Sequence, residues 1–95
     1  MTYQIRLTRT AKRTLEQMPP RVVEVVVAFI YGPLADNPQR TGKPMQSPYE
    51  GLHVGRRGDY RVIYRIQETT VDVQILVIGH RSKIYAFREW LAQAE

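Results

Sequence analysis

"RRGDYRVIYR", residues 56–65, is the stretch on which the fold turns. From Tyr60 onward, Tyr60, Val62, Tyr64 and Ile66 recur at every second position, with Arg61, Ile63 and Arg65 between them. A period of two is the signature of a strand whose successive side chains point to opposite faces. Tyr60, Val62, Tyr64 and Ile66 therefore face a core, and Arg61, Ile63 and Arg65 face away from it. "RRGD" reads as a tight turn back to "LHVGR", residues 52–56, and "QETT" as a second turn into "VDVQILVI", residues 71–78. Connections this short imply antiparallel hairpins. The last run is almost continuously apolar, which predicts an interior strand, and Gly79 ends it.

Upstream, "YQIRLT", residues 3–8, alternates and predicts a further strand, after which Thr8 suits a helix N-cap. Ala11, Leu15 and Met18 follow at helical spacing up to Pro19, and Pro20 can open a second helix. That second segment, residues 21–31, holds five valines that favour a strand, but its length and the spacing of Val22, Val26 and Phe29 favour a helix. The stretch "ADNPQRTGKPMQSP", residues 35–48, reads as a loop. In the tail, Phe87, Trp90, Leu91 and Ala94 stand at helical spacing. The predicted class is α+β in the order β-α-α-β-β-β-α. A small, largely antiparallel sheet has a helical pair on one face and a short C-terminal helix, and its other face is left to water or a partner.

The chain has 95 residues, enough for one domain over residues 1–95 and one core. A net charge of +5 makes a polyanion or an acidic protein the expected partner. The absence of cysteine excludes disulfides and thiolate metal sites and points to the reducing cytoplasm. With two histidines far apart in sequence and no clustered carboxylates, no metal site and no cofactor is expected. The N-terminus shows no signal-peptide pattern, and the longest apolar run, broken by Glu24, is too short to span a bilayer, so no membrane association is expected.

Two segments carry chemistry. Arg61 and Arg65 line the uncovered strand face, although a solvated face offset by Asp72 and Glu68 would look the same. "GHRSKIY", residues 79–85, leaves the end of the interior strand with an imidazole, a guanidinium, an ammonium and a phenol. A guanidinium fork grips phosphate, and an aromatic ring can stack on an unpaired base. The same spacing would also allow Tyr85 to pack inward and His80 to be a hydrogen-bonded turn residue.

"GLHVGRRGDYRVIYRI" followed by "VIGHRSKIY", with "NPQRTGKP" upstream, resembles the RelE group of the RelE/ParE toxin superfamily over almost the whole chain. The resemblance implies the RelE-like microbial RNase fold and a toxin of a type II toxin–antitoxin system. It implies a toxin held inactive by an acidic, RelB-like antitoxin, which when free enters the ribosomal A site and cuts mRNA without a metal. Arg61 then matches the arginine that grips the phosphate, Arg81 the arginine near the scissile phosphate or leaving group, Tyr85 the aromatic on the substrate base, and Arg56 a further cation. Arg40, Lys43, Arg57, Arg65 and Lys83 are the additional cations expected along the RNA. Some RelE toxins carry lysines on the preceding strand where this chain has Leu52 and Val54, which leaves the general base unassigned. His80 is the first substitute, Lys43 the second and His53 the third. The alternative is a ParE-type inhibitor of DNA gyrase, with the same fold and no nuclease activity.

Overall fold

Alternation becomes a five-stranded sheet in the computed structural model, which describes residues 2–93. The strands are β1 (Gln4–Leu7), β2 (Lys43–Pro44), β3 (Leu52–Arg57), β4 (Tyr60–Gln67) and β5 (Asp72–His80), in the spatial order β1-β5-β4-β3-β2. β1 runs parallel to β5, and every other pair is antiparallel. The helices are α1 (Arg9–Glu16), α2 (Pro20–Phe29), α3 (Pro38–Thr41) and α4 (Arg88–Gln93). A π-helical turn, Ile30–Leu34, prolongs α2, and a 3-10 turn, Ile84–Phe87, precedes α4. The expected order is present with two additions: α3 and β2 both form inside the stretch predicted to be loop. β2 is only two residues long and contains a proline, so it left no alternation to detect.

Thr8 caps α1 as its sequence suggests. Its hydroxyl oxygen accepts from the Ala11 N–H at 3.0 Å and donates to the Leu76 carbonyl at 2.7 Å, which fastens the helix start to β5. The valine-rich segment is helical because its apolar side has a sheet to lie against. Val26, Ile30 and Leu34, with Ala11 from α1, pack on Val62, Tyr64, Val73, Ile75 and Ile78.

The opposite face is not left open. Leu52, Ile63, Leu76 and Val77 form a second core, closed by Ile84 and Leu91 from the C-terminal segment and flanked by Met45, Tyr49, Val54 and Phe87. A β-bulge makes this possible. Ile63 pairs with Val77 and Tyr64 with Ile75, so Leu76 is the extra residue, and both Leu76 and Val77 join the second core. Of the tail residues at helical spacing, Leu91 is buried as the stripe predicts, while Trp90 is 40% exposed and lies edge-on to Phe87. Ala94, the last residue of the predicted helical stripe, lies outside the described residues.

Candidate functional site

Residues directly opposite each other on neighbouring strands share a face, so the register sorts the cations. Arg56 is opposite Arg61, which is opposite Gly79, and this rung lies on the face of the second core, beyond its edge. Gly79 leaves that rung without a third side chain. A Cβ there would stand 3.1 Å from the Ile84 side chain, so the glycine lets the C-terminal segment close down beside the arginines. Tyr85 follows Ile84 directly and is 54% exposed, pointing away from the core, in an open recess with Pro48, Tyr49 and Arg88.

Arg61 and Arg81 converge on one hairpin turn. The Arg61 guanidinium donates to the carbonyls of Gly58 and Tyr60 at 3.0 and 3.2 Å. Arg81 donates its backbone N–H to the Asp59 carbonyl at 2.8 Å, and its side chain lies 3.5 Å from the Asp59 carboxylate. Both partners of that ion pair are largely exposed, so it contributes little to stability and leaves the guanidinium available.

Further along the same face, Arg65 is opposite Leu52 on one side and Gln74 on the other, and Gln74 is opposite Arg6. Asp72 shares this face, and its partners lie at the β1 edge. It is buried, pairs with Arg6 at 3.2 Å and accepts from Thr70 at 3.0 Å. Glu68 instead accepts from Gln39. Arg40 is exposed in the last turn of α3.

The register puts three of the sequence-derived candidates elsewhere. Arg57 is opposite Tyr60 on the helix-covered face and lines a recess with Glu24, Val25 and Phe29. His80 is also opposite Tyr60, with the two rings edge-on at 5.4 Å, in a cleft lined by Gln17, Met18, Lys83 and Phe87. The Ser82 backbone N–H donates to His80 Nδ1 at 3.1 Å, and Ser82 Oγ lies 2.8 Å from the same atom. A backbone N–H can only donate, so Nδ1 is an acceptor and the neutral ring carries its proton on Nε2. In that tautomer His80 presents a donor to the cleft and no free lone pair to a 2′-hydroxyl. His53 stacks on Tyr64 at 5.5 Å, and burial holds its imidazole below its ordinary pKa. Among the described residues no three His, Asp or Glu side chains come together as a metal site.

Comparison with known proteins gives a consistent result. Residues 5–85 match the family model described as "ParE toxin of type II toxin-antitoxin system, parDE". The Mycobacterium tuberculosis protein named Toxin RelE is 45% identical over 83 residues, covering 87% of this chain and 86% of that protein. Toxin RelG of the same organism is 44% identical over 85 residues, covering 90% and 98%. The toxin–antitoxin complex RelBE2 of M. tuberculosis contains a chain with a TM-score of 0.83 and 41% identity, covering 86% of this chain and 94% of that one. A mutant of E. coli toxin RelE in the free state shares the fold, with a TM-score of 0.78 over 100% of both chains at 13% identity.

Proposed function

The chain belongs to the RelE/ParE family of type II toxin–antitoxin toxins, and from that premise we propose that it cuts messenger RNA on the ribosome. The observation that carries this reading is the convergence of Arg61 and Arg81 on the Gly58–Tyr60 carbonyls and the Asp59 carboxylate, with Arg56 across the rung and Tyr85 exposed beyond Gly79.

The chemistry follows from that placement. The RNA 2′-oxygen attacks the adjacent phosphorus and the bond from phosphorus to the 5′-oxygen breaks, which leaves a 2′,3′-cyclic phosphate and a 5′-hydroxyl. Negative charge builds on the phosphoryl oxygens, where fixed guanidinium donors stabilise it most. Arg61, held by two carbonyls, is oriented before the substrate arrives. Arg81 contributes the second fork, and Tyr85 offers a ring on which an unpaired base can stack. The neutral His80 tautomer on the other face makes it a poor general base.

The partner we infer is a RelB-type acidic antitoxin, of the kind complexed with the M. tuberculosis relative, drawn to the +5 chain by opposite charge. The place of action we infer is the ribosome in the cytoplasm. No helix among the described residues is long and apolar enough to cross a membrane.

Primer extension on a translated mRNA, with and without ribosomes, tests the reading. Cuts within codons only when ribosomes are present are expected. No cuts, together with loss of gyrase supercoiling, would make the chain a ParE-type gyrase inhibitor.

A further inference from the structure

On the arginine face, Leu52 and Val54 of β3 carry no charge, and the edge strand β2 sets a lysine beside Val54. Lys43 on β2 is directly opposite Val54, which is directly opposite Ile63. Side chains so paired start about 4.5–5.5 Å apart at Cβ and share a face. Lys43 is exposed and stands one rung along from the Arg56–Arg61 pair. The other two lysines are elsewhere: Lys12 is on α1, and Lys83 lines the His80 cleft.

A two-residue edge strand with a proline cannot hold its own register, and the residues before it show what does. Tyr64 is fully buried, and its hydroxyl donates to the Pro38 carbonyl at 2.6 Å. The same oxygen takes a hydrogen bond from the Gly42 backbone, while burial pushes the Tyr64 pKa up to about 12, so it stays a protonated donor. Gly42 sits so close that a Cβ would be 2.5 Å from the Tyr64 hydroxyl and 2.6 Å from the Val54 carbonyl. The Thr41 hydroxyl ties the same turn to the carbonyls of Pro33 and Asn37 at 2.9 and 2.7 Å. One core tyrosine thus clamps both ends of the turn that delivers Lys43.

We propose that Lys43 is a catalytic residue of the RNA cleavage, its ammonium resting on a non-bridging oxygen of the scissile phosphate, and that Tyr64 and Gly42 are its positioning residues. This rests on the cleavage reading above. In the step, the O2′–phosphorus bond forms and the phosphorus–O5′ bond breaks. Water takes the 2′-hydroxyl proton and supplies one to the 5′-oxygen, and the ammonium keeps its own protons throughout. Its part is charge, delivered by a flexible four-carbon stem to the space before Val54.

The test is single-turnover cleavage of mRNA on programmed ribosomes by the full chain and its variants, each first shown to unfold cooperatively. Lys43→Met should slow cleavage by about 10²-fold, with toxin binding to the ribosome little changed. Lys43→Arg, which keeps the charge, should restore most of the rate. Tyr64→Phe should slow the wild-type background about tenfold and the Lys43→Met background hardly at all, because the two act through one contact. Gly42→Ala should behave as Tyr64→Phe does. Wild-type rates in Lys43→Met would reduce Lys43 to a solvated surface lysine and overturn the proposal. Lys43→Arg as slow as Lys43→Met would overturn the charge role, and Tyr64→Phe equally costly in both backgrounds would overturn the positioning role. Arg61→Ala separates the two levels. If it is inactive while Lys43→Met is fully active, only this inference falls; if wild type and Arg61→Ala alike leave the RNA uncut, the cleavage reading falls and this inference with it.

Discussion

The two faces of the sheet are closed in different ways. The helix-covered face is a single apolar contact in which α1 and α2 lie over Val62, Tyr64, Val73, Ile75 and Ile78. The other face is divided: the C-terminal segment covers Leu52, Ile63, Leu76 and Val77, and the arginine rung lies bare beyond Gly79. The first face can be altered only at the expense of the fold. The second joins a modest core to a charged surface on the same strands, with Arg56 exposed and Arg61 half-buried at its edge. On the cleavage reading, charge that meets phosphate stays hydrated until substrate arrives, and a face whose apolar core stops short of the arginine rung allows that.

The contrast is broken most severely from the helix side. Ile30→Ala empties a fully buried site and should lower unfolding stability by about 2–5 kcal/mol in chemical denaturation, while the protein that remains folded keeps its specific cleavage rate. A lower specific rate from fully folded protein would show that the two faces are coupled. On the other face, Tyr85→Ala should cost cleavage about 1–3 kcal/mol of base stacking, and Tyr85→Phe much less. Equal damage from both would assign the hydroxyl a direct part. Thr8 bridges α1 and β5, so Thr8→Ala should cost about 0.5–2 kcal/mol of stability with no change in cleavage.

The smallest effect is one of pH. Burial lowers the folded-state pKa of His53 below its unfolded value, so the unfolded chain takes up this proton first as the solution is acidified. Its contribution is complete above about pH 6.5 and is lost as the pH falls through the folded value. Denaturation midpoints at pH 7 and pH 5 should therefore differ less in His53→Gln than in the wild type.

Much of this division is legible in the sequence. The period-two pattern from Tyr60 to Ile66 placed Tyr64 inward and Arg61 outward, and Thr8, Pro19 and Pro20 marked the helix ends. The covering of the second face was not legible, because a bulge at Leu76 breaks the alternation, and a continuous apolar run does not say which residue is the extra one. Nor was β2, whose two residues depend on the Tyr64 and Gly42 contacts rather than on propensity. Arg61, Arg81 and Tyr85 could be singled out because strand parity and a loop after an interior strand expose side chains. The placement of His80 depended on register and on the Ser82 N–H, which no spacing rule supplies.

The most direct measurement pairs two readings on the same samples of Arg61→Ala and Arg81→Ala: mRNA cleavage on the ribosome and stability in denaturant. Both side chains lie at the surface or its edge and fill no core. The account predicts that each substitution lowers the cleavage rate by about 10²–10³, a transition-state loss of about 2.7–4 kcal/mol, and shifts unfolding by less than about 0.5 kcal/mol. Full cleavage by both variants, or a loss of activity that follows a loss of folded protein, would contradict it.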